Sequence, residues 1–143
     1  MNVTPYLHFK NAAAAIDFYR DVFGAEEVSR LVSPEGRIGH AEIRLGDSTL
    51  MMSDESPGFG ALSPITIGGS PIRLHLSVDD VDAIAAKLIA KGATVLRAVK
   101  DEFYGERIGL FADPFGYQWF VASKTGEEVT SEEAERRWNA SLS

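Results

Sequence analysis

The tripeptide Arg-Ile-Gly at residues 37–39 recurs at residues 107–109, and Leu-His at residues 7–8 recurs at residues 74–75. Further identities follow in the same order at nearly the same spacing: Ala15-Ile16 with Ala83-Ile84, Gly24-Ala25 with Gly92-Ala93, Gly46 with Gly116, and Ser53 with Ser123. A common order of matches at a near-constant spacing indicates an internal repeat. The sequence therefore predicts one structural unit present twice, and two such units tend to form a pocket along their seam.

The composition is that of an ordinary globular domain with an acidic balance. The chain has 143 residues, of which 45% are hydrophobic and 24% charged, and its formal net charge is −7. This length suffices to bury a core, so we expect a single domain over residues 1–143. The absence of cysteine excludes disulfides and thiolate chemistry. The negative charge argues against nucleic acid or an anionic membrane as a partner. No signal peptide or membrane-spanning apolar run is evident, so a cytoplasmic protein is expected.

Hydrophobic periodicity and turn residues predict the order β-α-β-β-β in both halves. In unit one, residues 3–54, the predicted elements are a strand at 3–9, a helix from the N-cap Asn11 to 23, and strands at 27–31, 38–45 and 49–53. In unit two, residues 71–123, they are a strand at 73–78, a helix capped by Asp80 and ended at Gly92, and strands at 94–99, 108–112 and 118–123. A Gly-, Ser- and Pro-rich loop at 54–71 joins the units. In the tail, residues 124–143, a capping box opens a short helix from Thr130 to about Trp138, which we expect to pack on the body or on a partner chain.

A doubled β-α-β-β-β unit with Ile-Asp-Phe-Tyr at 16–19 and Asp-Pro-Phe-Gly-Tyr at 113–117 resembles the vicinal oxygen chelate superfamily, which contains glyoxalase, bleomycin-resistance and dioxygenase-like proteins. A glyoxalase/bleomycin-resistance-like subgroup, mostly without assigned function, is resembled further by Leu-Met-Met-Ser-Asp at 50–54, Gly-Ser-Pro at 69–71, Tyr-Gly-Glu-Arg at 104–107 and the tail segment at 129–133. The resemblance implies an α+β fold in which two tandem β-α-β-β-β units form a half-open mixed-sheet barrel around a cavity. It also implies a homodimer.

Metal-dependent members of this superfamily hold a divalent cation with four ligands, one from the first and one from the last strand of each unit. The resemblance places these positions at Thr4, Leu50, Arg73 and Phe120. None of the four is a good ligand for a divalent metal, so neither a metal nor another cofactor is expected. The alternative is a displaced metal site built from His8, His75 and either His40 or Glu42.

Strand alternation predicts which other side chains share the cavity face with these positions. The expected cavity residues are Tyr6, His8, His40, Leu50, Met52, Arg73, His75, Tyr104, Arg107, Gln118 and Phe120. Arginine in such a cavity needs an anionic partner. That partner is either an internal carboxylate (Glu42, Asp101 or Glu106) or a carboxylate or phosphate of a ligand, which guanidinium binds through two hydrogen bonds.

Two functions remain open from the sequence. The first is binding of a small metabolite or drug, anionic ones included, in a cavity between the units. The alternative is an atypical enzyme, such as a lyase, isomerase or dioxygenase-like protein, with a displaced metal site or with His8, His75 or Glu42 as a general base, because imidazole titrates near neutral pH. A third possibility is a domain whose cavity is filled by its own side chains and which acts as a dimerisation module. A small-molecule ligand and a second copy of the chain are the expected partners.

Overall fold

A computed structural model describes all residues, Met1–Ser143. Contacts divide the chain into two compact units, Met1–Pro71 with Pro114–Tyr117 (unit 1) and Ile72–Asp113 with Gln118–Ser143 (unit 2). None of the helices is both long enough and apolar enough to span a bilayer.

Unit 1 is a four-stranded sheet covered by one long helix. Its elements are β1 (Tyr6–Phe9), α1 (Ala12–Phe23), β2 (Glu26–Val32), β3 (Ile38–Leu45), β4 (Ser48–Asp54), a 3₁₀ turn (Pro57–Phe59) and the short helix α2 (Pro64–Ile67). The strand order is β1-β4-β3-β2, with β1 parallel to β4 and the other pairs antiparallel. The sheet is therefore mixed, as predicted.

Unit 2 repeats this arrangement. Its elements are β5 (Arg73–Ser77), α3 (Val81–Ala90), β6 (Thr94–Asp101), β7 (Glu106–Ala112), β8 (Gln118–Lys124) and the tail helix α4 (Ser131–Ser141). The order β5-β8-β7-β6, with β5 parallel to β8, matches that of unit 1 strand for strand. The predicted fold class, α+β with two tandem β-α-β-β-β units, is confirmed.

Both long helices begin at the predicted caps. The Asn11 side chain accepts a hydrogen bond from the Ala14 N–H (3.1 Å), and Asp80 accepts one from the Ala83 N–H (3.1 Å). Such caps satisfy backbone donors that have no partner within the helix. Helix α1 ends at Gly24, whose φ of +72° is the left-handed conformation that glycine adopts without strain. These boundaries were predictable because each signal is local.

Elsewhere, the boundaries differ from the predicted ones. Strand β1 begins at Tyr6 rather than residue 3, since Pro5 has no N–H to donate to a sheet, although its carbonyl accepts from Met51 N–H (3.0 Å). Helix α4 runs to Ser141. Arg137 anchors it through an ion pair with Glu127 and a hydrogen bond to the Phe103 carbonyl (2.6 Å), whereas the neighbouring Trp138 is 53% exposed.

Each sheet has one face against its helix and one face opposite, which we name the open face. In unit 1, Leu7, Met52 and Ala41 are successive cross-strand partners, all buried. This is the helix face, because Phe9, two residues from Leu7, contacts Tyr19 of α1 (6.1 Å between ring centroids). Side chains one position along each strand lie on the open face.

Candidate functional site

The open face of unit 1 carries a connected group of aromatic, imidazole and carboxylate side chains. The Tyr6 hydroxyl lies 2.8 Å from His40 Nδ1, and His40 Nε2 lies 3.4 Å from a carboxylate oxygen of Glu42. The Tyr6 and His8 rings are 5.1 Å apart. These four side chains therefore lie on one face of one sheet, and that this face lines a ligand cavity stays a prediction.

His8 is partly buried and is held by hydrogen bonds on both its side chain and its backbone. Its Nδ1 lies 2.9 Å from Ser53 Oγ, and the Tyr117 hydroxyl accepts from its backbone N–H and donates to its backbone carbonyl (2.9 Å each). Burial lowers the pKa of the His8 imidazole, which favours its neutral form. Neither Ser53 nor Tyr117 was among the predicted cavity residues. Tyr117 directly follows the Asp-Pro-Phe-Gly turn, a signal that could have identified it.

The predicted cavity positions of Leu50 and Met52 are wrong. Both side chains are buried on the helix face, opposite Ile43 and Ala41 respectively, and it is Met51 that pairs with Tyr6 on the open face. A shift of one residue along a strand transfers every side chain to the other face.

The resemblance placed the last-strand position of unit 1 at Leu50, and the unequal turns of the two units show why this position is out of register. Leu45 pairs with Ser48 at the β3–β4 turn, whereas Ala112 pairs with Gln118 across a longer β7–β8 turn. Matching Gly46 with Gly116 therefore aligns Leu50 with Phe120. Register instead makes Ser53 the equivalent of Phe120, because these residues pair with the equivalent histidines of β1 and β5.

The open face of unit 2 carries two arginines beside an aromatic ring. Arg73 and His75 of β5 pair with Gln118 and Phe120 of β8, which places all four side chains on the same face. The guanidinium carbon of Arg73 lies 5.6 Å from the Phe120 ring centroid, and that of Arg97 lies 6.0 Å from it. Arg97 was not predicted, since irregular register around it in β6 breaks the alternation on which the sequence prediction relied.

Some of the charged side chains on this face have a charged partner and others do not. Arg73 Nε donates to the Gln118 amide oxygen (2.8 Å), and His75 Nε2 lies 3.4 Å from a Glu106 carboxylate oxygen. Neither Arg73 nor Arg97 forms an ion pair with a carboxylate. Beyond Glu106, a cavity of about 420 Å³ is lined by residues of β5, β7 and β8 and by the segment after β5 (Ser77, Val78, Asp79, Glu106, Ala122, Ser123 and Lys124).

Arg107 does not lie on the open face, which corrects its predicted place. Its guanidinium donates to Asp82 of α3 (2.9 and 3.0 Å) and to Asp101 (3.1 Å), and these hydrogen bonds raise the pKa of Arg107 above its ordinary value. Asp101 was one of the three internal partners considered for the arginines. The charge of Arg107 is thus compensated within unit 2.

Tyr104 is close to Arg97. It lines a small cavity with Arg97 and Phe120, and 39% of its surface is exposed. Burial, reinforced by Glu102 and Glu106, raises the pKa of the Tyr104 phenol. Tyr104 is therefore a neutral hydrogen-bonding group near the Arg97 guanidinium.

The residues present do not fit the metal centre of the metal-dependent members. Thr4 precedes β1, Leu50 points to the helix face, and Arg73 and Phe120 offer no metal-binding atom. The structure contains no group of three His, Asp or Glu side chains placed to hold a metal ion. In the displaced alternative, His8 Nδ1 contacts Ser53 and both ring nitrogens of His40 contact Tyr6 and Glu42.

Known proteins share both the sequence pattern and the fold. The model of the Glyoxalase/Bleomycin resistance protein/Dioxygenase superfamily matches residues 7–121. An uncharacterized protein of Mycobacterium bovis is 39% identical over 128 residues, covering 87% of this chain and 84% of that protein. The crystal structure of protein PA1353 from Pseudomonas aeruginosa superimposes with a TM-score of 0.73 and 26% identity, covering 87% of this chain and 98% of the other. TioX from Micromonospora sp. ML1, with a TM-score of 0.67, 23% identity and coverage of 92% and 100%, shares the fold.

The family match extends over most of the chain and includes both units. It also agrees with the segments at 16–19 and 113–117 that carried the resemblance in the sequence. The chain therefore belongs to the glyoxalase/bleomycin resistance protein/dioxygenase superfamily.

Proposed function

We propose that this protein binds a small anionic molecule on the open face of unit 2. The observation that carries this proposal is the pair of guanidinium groups, Arg73 and Arg97, within about 6 Å of one phenyl ring and without a carboxylate partner. Both guanidinium groups lie near the same ring without a carboxylate partner, and a bound anion would compensate their charge. Their local charge is positive although the chain as a whole is acidic.

The chemistry of the side chains favours a carboxylate or phosphate attached to a flat apolar body. Guanidinium forms paired, charge-assisted hydrogen bonds with both anions. Arg73 is held by Gln118 through Nε, which leaves its terminal nitrogens for a ligand. Phe120 offers ring surface on which an aromatic or unsaturated group can stack. A homodimer, expected from the resemblance, stays a prediction.

Calorimetric titration with benzoate and with inorganic phosphate tests this proposal. We expect the wild-type protein to bind benzoate, and either Arg73→Ala or Arg97→Ala to weaken binding by about tenfold or more, because each removes a charge-assisted hydrogen bond worth roughly 1.5–3 kcal/mol. Phe120→Leu should weaken benzoate but not phosphate. Arg20→Ala is the matched control, since Arg20 is an exposed arginine of α1. Equal affinity of the wild type and both open-face arginine variants would refute the proposal.

One observation favours the alternative function, an enzyme that transfers protons through His8. A general base must be unprotonated at working pH, and burial lowers the pKa of His8 accordingly. His75 instead lies 3.4 Å from a Glu106 carboxylate oxygen and has 45% of its side-chain surface exposed. Of the two histidines considered as bases, His8 has the more suitable surroundings.

NMR titration of the three histidines tests the state of His8. We expect the signal lost in His8→Gln to titrate below the ordinary value of about 6.5. Because the unfolded chain then binds the proton more readily, stability attributable to His8 is present above pH of about 6.5 and decreases as pH falls through the folded pKa. Ser53→Ala should leave the midpoint low, since burial is its main cause. A midpoint at or above the ordinary value would exclude His8 as a neutral base.

A further inference from the structure

Three side chains on the open face of unit 1 form an unbroken polar chain that no part of the proposed anion site uses. Glu42 and His40 are alternate residues of β3, and Tyr6 lies on β1. Strand β4 separates these strands, and its Met51 pairs with both Tyr6 and Glu42. The Tyr6 side chain reaches across β4 to place its hydroxyl 2.8 Å from His40 Nδ1.

The chemistry of the three groups fixes the direction of their hydrogen bonds. An ionised carboxylate only accepts, so Glu42 favours the His40 tautomer that carries its proton on Nε2. At 3.4 Å this contact is at the long end for a hydrogen bond, and it acts mainly through electrostatic attraction. His40 Nδ1 then has a free lone pair and accepts the proton of the Tyr6 hydroxyl. The phenolic proton is thus directed at a base that has a carboxylate behind it.

The three side chains are partly exposed to solvent, which distinguishes them from a purely structural contact. Tyr6 is 42% exposed, so its oxygen can meet a small molecule on the open face. His40 and Glu42 have roughly 30% of their side-chain surface exposed. Activated hydroxyl groups use the same order of groups: a hydroxyl, then a base that accepts its proton, then a carboxylate that orients the base. Tyr6, His40 and Glu42 stand in this order.

We propose that Tyr6 is a proton-transfer residue that acts through His40 and Glu42 on a small molecule bound to the open face of unit 1. As a substrate O–H or C–H acid gives its proton to the phenol oxygen, the Tyr6 proton passes to His40 Nδ1. The resulting imidazolium is stabilised by Glu42, and the reverse transfer returns the proton to the product. One proton enters and one leaves the phenol, so no further reactant is needed. This site does not depend on anion binding by unit 2.

Acetylation by N-acetylimidazole, mapped by peptide mass spectrometry, tests whether His40 assists the Tyr6 hydroxyl. The phenol oxygen bonds to the acetyl carbon, the acyl C–N bond breaks, the phenolic proton goes to His40, and the leaving imidazole takes up a proton. We expect His40→Ala and His40→Asn both to slow acetylation of Tyr6 by about tenfold or more, since general-base assistance is lost. His40→Asn keeps an acceptor for the hydroxyl but removes the base. Glu42→Gln should give an intermediate rate.

Tyr104 is the internal reference because it has similar exposure, 39% against 42% for Tyr6. Its acetylation rate should be the same in all variants, which shows that the reagent and the fold are unchanged. The acetylation rate of Tyr6 is compared between variants and not with the rate of Tyr104, since burial raises the pKa of the Tyr104 phenol. If Tyr6 is acetylated equally fast in wild type and His40→Asn while Tyr104 is constant, the proposal is overturned. If only His40→Ala slows the reaction, His40 merely positions the hydroxyl, and the proposal fails as well.

Discussion

Met52→Ala is expected to lower the free energy of unfolding by about 2–5 kcal/mol, whereas Met51→Ala lowers it by about 1 kcal/mol or less. Met52 is fully buried on the helix face, between its strand partners Leu7 and Ala41. Truncating it removes apolar contacts and leaves a cavity that the close-packed core cannot fill completely. Met51 is only partly buried and lies on the open face, so its loss creates no closed cavity.

Chemical denaturation of the two variants measures this difference directly. The adjacent methionines form a matched pair, because the same atoms are removed at neighbouring positions of one strand. Met52→Leu is a further control, since it preserves volume and should cost less than about 1.5 kcal/mol. If Met51→Ala were the less stable variant, β4 would have the opposite face against α1, and equal losses would mean that Met52 is not more tightly packed than Met51.

This pair also shows what the sequence could and could not predict. The existence of β4 follows from local composition, but the face on which Leu50 and Met52 lie depends on pairing with other strands. That pairing is fixed by the length of a turn, which differs between the two units although Gly46 and Gly116 appear to match. Repeats preserve element order more faithfully than register.

The residues of the candidate site could also be predicted only where strand alternation is regular. Alternation correctly predicted that Tyr6 and His8 share one face, and that Arg73 and His75 do so as well. It could not predict Arg97, since irregular pairing of β6 interrupts the period of two. Nor could it show that the hydroxyl of Tyr6 meets His40, because that contact spans an intervening strand.

Arg107 and Arg73 show a second limit of prediction from sequence, which is whether an arginine has a carboxylate partner within the fold. Arg107 belongs to the repeated Arg-Ile-Gly segment, yet its charge is taken up by Asp82 of α3 and by Asp101. Arg73 has no such partner, although nothing in the sequence around it indicates this. Which cation is free for a ligand is decided by the distances between side chains from separate elements. The sequence left internal and ligand partners open for both arginines, and the distances between side chains separate Arg73 from Arg107 in this respect.

Gly105→Ala is expected to lower the free energy of unfolding by about 2–5 kcal/mol, well beyond the effect of the same change at Gly36. Both glycines have left-handed φ values, +87° at Gly105 and +83° at Gly36. A side chain in this region costs roughly 1–2 kcal/mol at either site. At Gly105 an added Cβ would also lie 2.6 Å from the Glu127 carbonyl oxygen, whereas nothing lies within 4 Å at Gly36.

The loss of stability is larger at Gly105 because the added Cβ would clash with a backbone atom, the Glu127 carbonyl oxygen. The segment after β8 is tied to this turn, since Thr125 donates to the Gly105 carbonyl through its N–H (3.1 Å) and its hydroxyl (3.2 Å). Relieving the clash therefore requires moving a hydrogen-bonded chain segment, and overpacking of this kind costs about 1–3 kcal/mol. Thermal or denaturant unfolding of the two variants separates the two contributions to the loss of stability. Gly36→Ala reports the conformational cost alone, and the difference between the two variants reports the clash with the Glu127 carbonyl. Equal losses at the two sites would mean that the tail does not rest on Gly105. Since Tyr104 and Glu106 flank this glycine, a shift there would also displace the side chains that contact the Arg97 cavity and His75.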